Sequence, residues 1–138
     1  MFPKKGGGQP SDIGIISTPS YSIPIHRVTL DRSTGIVTHY GKIENENHME
    51  LAKKEMVIGT KVQVQVDSNH RQIISECHSA GHIVDVAMER CGFQLPPTKG
   101  YHFLDGPYVE YKGKLPAEKS KPEIVASLQE AFQVRWQK

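Results

Sequence analysis

The chain predicts an α+β fold with a β-rich N-terminal half, and three stretches carry that prediction. Residues 21–68 read as strands, with segments that alternate apolar and polar side chains and are enriched in β-branched residues. Residues 69–91 place apolar residues at helical spacing between cap candidates and a glycine stop. Residues 121–138, "KPEIVASLQEAFQVRWQK", repeat the helical pattern.

The elements follow in order. "MFPKKGGGQPSDIG" is rich in Gly and Pro and reads as a structured loop. Its three consecutive glycines allow positive φ and close approach by another group. A flexible tail is the alternative; the turn signal followed by Ile15 and Ile16 favours a loop entering a strand. "YSIPIHRVTL" and "TGIVTHYGKI" read as two strands about a "DRSTG" turn, with Asp31 and Gly35 as its turn residues. "NENHMELAKKEM" is polar, a loop or a short helical turn. "IGTKVQVQVD" is the clearest strand, with Val62, Val64 and Val66 on one side and Lys61, Gln63 and Gln65 on the other.

The strongest helix spans 69–91. Asp67, Ser68 and Asn69 are its cap candidates, and Gly92 is its stop. Ile74, Cys77, Ile83, Val84, Ala87 and Met88 recur at helical spacing. "QLPPTKG" reads as a loop. "YHFLDGPYVEYKG" reads as a hairpin turning at Asp105-Gly106-Pro107, with Tyr101, Phe103, Tyr108 and Tyr111 packing it on the second helix. That helix begins near Pro122 and carries Ile124, Leu128, Phe132 and Val134 on its apolar face.

Bulk properties narrow the function classes. A net charge of +2 is too small to argue for a nucleic-acid partner by itself, and a local basic patch remains compatible with one. Cys77 and Cys91 make no disulfide framework. No apolar run approaches the ~20 residues of a membrane span, and the N-terminus lacks the apolar core of a signal peptide. The expected location is cytoplasmic.

"SECHSAGHIVDVAMERCG" holds two histidines, His78 and His82, one helical turn apart. Residues i and i+4 share a helix face, so both imidazoles can reach one Zn²⁺ at ~2.0–2.1 Å. Ser79, Ala80 and Gly81 between them are small, and Gly81 costs a helix about 1 kcal/mol relative to Ala. A glycine there points to close approach by another group, or simply to a packing contact. The same spacing also describes two half-exposed histidines, and zinc wants about four ligands.

"GGGQPSDIG", residues 6–14, followed by His-x-x-x-His at 78–82 resembles the editing domain of alanyl-tRNA synthetases and their free-standing AlaX-type trans-editing relatives. Val66-Asp67, Arg71 and "DGPYVEY" are similar too, and the resemblance covers nearly the whole chain. It implies a small β-barrel carrying the glycine loop, packed on an α+β domain that holds a metal. For this chain it implies a β-rich, barrel-like subdomain at 1–68 and a partial editing domain at 69–138.

The implied function is zinc-dependent hydrolysis of mischarged alanine tRNA carrying serine or glycine. The implied metal ligands are His78 and His82, and the implied partner is tRNA. Gln9 and Asp12 are the implied catalytic residues, with Gly6, Gly7 and Gly8 on the substrate. Gln9 otherwise reads as an ordinary turn glutamine, and Asp12 as an Asx-turn residue. Lys4, Lys5 and the lysines of 112–121 could meet tRNA phosphates, or simply be solvated.

The chain departs from the family pattern. The family draws its other two zinc ligands from a Cys-x-x-x-His motif nearer the C-terminus. Here Cys77 is followed at four residues by Gly81, and Cys91 by Leu95. Both ends read as clipped relative to the family. Cys77 reads better as a core residue than as a ligand, and His39 and His102 as surface or edge histidines. Asp85, three residues after His82, is either an acceptor for an imidazole N–H or a helix acid paired with a base. The alternative function is a non-catalytic tRNA-binding fragment with an incomplete metal site.

Overall fold

In the computed structural model, which describes residues 8–136, the elements run β1 (Gly14–Ser17), β2 (Ser22–Leu30), β3 (Val37–Gly41), α1 (Glu46–Glu55), β4 (Gln63–Val66), α2 (Ser68–Arg90), β5 (Pro97–Tyr101), β6 (Tyr108–Tyr111) and α3 (Lys121–Trp136). They fall into two compact units. One is Ser11–Ile73. The other joins residues 8–10 to residues 74–136, so α2 gives its first turns to one unit and the rest to the other.

The first unit is a mixed α/β body. Its four strands form an antiparallel sheet in the order β3-β2-β1-β4. The register puts Ile16 between Ile23 and Val64, and Gly14 between Ile25 and Val66, so these side chains share one face. The β2–β3 turn is held by Asp31. Its carboxylate accepts from the Ser33 N–H at 2.9 Å, and its carbonyl accepts from the Gly35 N–H at 2.8 Å. The sheet is open, with β3 and β4 as its edges, where a barrel-like closure was expected. Four strands of four to nine residues are too few to twist round and pair edge to edge.

The polar stretch at 45–56 is a full ten-residue helix, α1, rather than a loop or single turn. Asn45 caps it by accepting from the His48 N–H at 3.2 Å; Glu46 sits in its first turn and Lys53 and Lys54 in its last. Cap and dipole chemistry supports this helix where a broad apolar stripe does not. Ala52 is the buried residue it contributes.

Helix α2 is bounded by local signals. The Asp67 carboxylate accepts from the His70 N–H at 2.8 Å. At the other end Gly92 takes φ 79°, and the Gly92 and Phe93 N–H groups return to the carbonyls of Glu89 and Met88. That is the Schellman closure, and it turns Phe93 inward. Helix α3 starts at half of a capping box: the Ser120 N–H and hydroxyl both donate to Glu123 Oε2, at 2.8 and 2.7 Å. Strand β5 begins at Pro97, inside the stretch read as a loop; a proline is tolerated at a strand's first residue.

Met88, Phe93 and Ile124 form the buried cluster of this second unit, with Val84, Leu95, Tyr111 and Leu128 packed around it. Three of the four hairpin aromatics stack on one another instead: Tyr101 lies 4.6 Å from Phe103 and 5.3 Å from Tyr108, centroid to centroid. Tyr101 and Tyr108 are directly opposed across the strands, which favours that pairing. The side chain of Val134 lies outside the described residues. Among the described residues no helix is long and apolar enough to cross a membrane.

Phe93 is 5% exposed at the centre of the cluster. Phe93→Ala should lower stability by about 3–5 kcal/mol, read as a drop in the urea midpoint at unchanged slope.

Candidate active site

The candidate site of the second unit is built from α2, the strand end after β5 and the glycine loop. Helical spacing places His78 and His82 on one face, and their rings stack at 5.0 Å with a 26° tilt. The Gln9 side-chain carbonyl faces His78 Nδ1 at 2.6 Å. With that oxygen as acceptor, Nδ1 carries the proton and Nε2 keeps its lone pair. Two motifs separated by 69 positions in the sequence thus meet at one hydrogen bond.

His102 is the residue the sequence reading misplaced. It was expected at a surface or edge. It is 6% exposed and stacks on His78 at 4.5 Å, tilted by 12°. The reason lies in the glycines. A Cβ at Gly81 would sit 2.3 Å from His102 Cε1, and one at Gly100 2.6 Å from His102 Nε2. The His102 N–H donates to the Gly8 carbonyl at 2.6 Å, and Gly8 takes φ 60° with its Cα against the Gly100 carbonyl. The missing side chains of Gly81 and Gly100 make the space one imidazole fills, and that of Gly8 lets the loop backbone close on the Gly100 carbonyl. The mid-helix glycine is therefore explained by close approach, and His102 is what approaches.

Burial drives the electrostatics. It holds His78 below the ordinary imidazole pKa, and the His82 charge adds to the effect. Burial likewise lowers His102, followed by the charges of His78 and His82, with Asp85 opposing. Neutral imidazoles are the form that binds a metal.

Asp85 has a partner on each oxygen. Oδ1 accepts from the Tyr111 hydroxyl at 2.6 Å, and Oδ2 lies 3.6 Å from His82 Nδ1. It does not pair with Arg90 as a plain helix acid would. Burial and the Asp85 contact push the Tyr111 hydroxyl pKa upward.

A tetrahedral zinc takes four donors. His78 and His82 are the candidates for two of those positions, each with Nδ1 facing an oxygen. His102 does not supply a third. Among the described residues no group of three His, Cys, Asp or Glu side chains is arranged to hold a metal ion.

Asp12 lies in the first unit, paired with Arg71. Arg71 Nε donates to Oδ1 at 3.0 Å and a terminal nitrogen donates to Oδ2. That hydrogen bond, then the guanidinium charge, holds the Asp12 carboxyl below its usual range. The pair ties the segment leading into β1 to the first turn of α2, which the Asx-turn reading omitted. Of the glycine positions, Gly8 is described above; Gly6 and Gly7, with Lys4 and Lys5, lie outside the described residues.

No family model matches the chain. Curated relatives do. The chain is 30% identical over 132 residues to the alanine–tRNA ligase of Methanosarcina barkeri, covering 92% of this chain and 13% of that protein. It is 31% identical over 84 residues to the alanine–tRNA ligase of Methanosphaera stadtmanae, 61% of this chain and 9% of that one. It is 27% identical over 115 residues to the alanyl-tRNA editing protein AlaX-L of Pyrococcus horikoshii, 83% of this chain and 26% of that protein. The chain therefore spans a small part of each ligase and about a quarter of the editing protein.

Two predictions come from this geometry. Gly81→Ala should destabilise by about 1–3 kcal/mol, although alanine is the better helix former, because the His102 ring cannot yield. In a His102→Ala background the same change should become neutral or stabilising, a coupling that a double-mutant cycle of urea midpoints will read. The second concerns pH. His78 and His102 sit below their unfolded value of ~6.5, so the unfolded chain takes up protons first as pH falls. Stability of the metal-free protein should be full above about pH 6.5 and decline toward pH 5, and His102→Gln should flatten part of that slope in denaturation series at each pH.

Proposed function

The chain is a homologue of alanine–tRNA ligases and of an AlaX-L alanyl-tRNA editing protein, an alanyl-tRNA editing-type domain, and on that footing we propose that it is an aminoacyl-tRNA deacylase of the alanyl-tRNA editing class. Its substrate is alanine tRNA mischarged with serine or glycine, its reaction is hydrolysis of the aminoacyl ester, and its setting is the cytoplasm. The observation that supports this best is the Gln9–His78 hydrogen bond, which brings the glycine loop to the histidine helix.

In this reading His78 and His82 hold a zinc ion through Nε2, and donors beyond the described residues complete its coordination. When bound, zinc supplies Lewis acidity toward a water or the ester carbonyl. The chain's own residues do the rest. Gln9 keeps the His78 tautomer and offers its amide N–H₂ to the aminoacyl end of the tRNA. The glycines at 6–8 are the candidate substrate contacts that the family pattern offers, and at Gly8 the side the missing Cβ leaves open is taken by the Gly100 carbonyl. Asp12, fixed by Arg71, is the remaining candidate from the family pattern, and its role here is to set the course of the loop leading into β1.

A second reading has one observation in its favour. Only two metal donors are aligned among the described residues, which suits a tRNA-binding module without hydrolysis. One experiment separates the two. Seryl- and glycyl-charged alanine tRNA are incubated with the zinc-supplemented protein and with a His78→Ala/His82→Ala variant. Ester release by the wild type, reduced to the protein-free rate in the variant, is the expected result. Equal turnover by both overturns the deacylase reading. Tight tRNA binding without ester release, with or without zinc, establishes the binding module instead.

A further inference from the structure

The two metal-binding candidates are held very differently. His78 is partly buried, stacked on its far side by His102 and bonded to Gln9. The His82 side chain is 71% exposed, so packing alone leaves its ring free to choose among rotamers and tautomers. Its neighbours are the His78 ring and the Asp85 carboxylate, the latter 3.6 Å from Nδ1. A carboxylate on the helix surface is itself mobile. Asp85 is not, because the Tyr111 hydroxyl occupies its other oxygen at 2.6 Å. Tyr111 in turn is fixed at the end of β6, packed against the Met88–Phe93–Ile124 cluster.

We propose that Tyr111 and Asp85 are positioning residues for His82: the Tyr111 hydroxyl fixes the Asp85 carboxylate so that its free oxygen selects the Nδ1–H tautomer of His82 and leaves Nε2 available to a ligand. The order of support runs from apolar core to tyrosine, to carboxylate, to imidazole. An acceptor on the non-ligating nitrogen fixes both ring orientation and tautomer, and its loss costs 10–100-fold in metal affinity. Gln9 does the same for His78 from the glycine loop. The β5–β6 hairpin therefore reaches both imidazoles of α2: His102, just after β5, stacks on one, and Tyr111, at the end of β6, steers the other. This assignment rests on the metal-site reading only for its consequence. The tautomer itself is a property of the metal-free chain.

The test uses ¹⁵N-labelled full-length protein without metal, above pH 8 where the imidazoles are neutral. Long-range ¹H–¹⁵N correlation spectra report which ring nitrogen of His82 bears the proton. The wild type should show His82 chiefly as the Nδ1–H tautomer. Asp85→Ala should move it toward the Nε2–H form that dominates free imidazole side chains, and Tyr111→Phe should give a mixture. Tyr111→Phe keeps the ring in the apolar cluster, so its melting temperature serves as the control for packing. Zinc titration should then show a 10–100-fold weaker site in Asp85→Ala and a smaller loss in Tyr111→Phe. Wild-type His82 found mainly as Nε2–H, or variants that leave its tautomer unchanged, overturns the proposal. Absence of zinc binding in the wild type would sink the zinc reading alone, with the tautomer result still deciding this one.

Discussion

The space left by missing side chains at Gly81 and Gly100 is the constraint on which the candidate site depends. One imidazole, His102, fills it. Because it fills it, His78 has a flat surface to stack on, and the glycine loop has a backbone donor to close against. Interiors are packed too densely for such a fit to be adjusted one atom at a time. A methyl group at Gly81 or Gly100 would meet the ring on which His78 stacks, and one at Gly8 would meet the Gly100 carbonyl. Residues of α2 and of the end of β5 are thereby locked by a single volume constraint, where a set of independent hydrogen bonds would tolerate loss of one.

Polar contacts then finish what packing begins. Each helix histidine has an oxygen opposite Nδ1, from Gln9 for His78 and from Asp85 for His82. The Gln9 contact is short and partly buried, in surroundings of low dielectric where a hydrogen bond is strong. The Asp85 contact is longer and wet, so it depends on Tyr111 to keep the carboxylate in place. The two arms place the protons on the same ring nitrogen by different means. A pair of imidazoles with matched tautomers is a better chemical unit than the bare spacing of four residues conveys.

The Ser11–Ile73 unit is organised by a different pair. Arg71 grips Asp12 with two nitrogens, a fork-to-fork geometry that fixes direction as well as distance. It leads the chain into β1, which pairs on both sides, with β2 and with β4. One of the two inner strands of that sheet is thus approached through an ion pair. Arg71 and Asp12 are half-exposed and largely buried, respectively, so the pair's value lies in orientation more than in net stabilisation.

The sequence by itself determined what depends on near neighbours. Strand alternation in 22–30 and 63–66, the Asp31 turn, the cap at Asp67 and the stop at Gly92 all act over a few residues, and each was legible. So was the shared face of His78 and His82, because helical geometry dictates it. Helix α1 was under-read because charged and polar residues dominate it and leave only a narrow apolar face. Tertiary structure alone decided the rest. Nothing local marks His102 as buried, Tyr111 as the partner of Asp85, or Gln9 as the partner of His78, since these contacts join residues 21, 26 and 69 positions apart. Gly81 was the one local hint: a helix gives up about 1 kcal/mol there, and only the folded chain shows which ring takes the space.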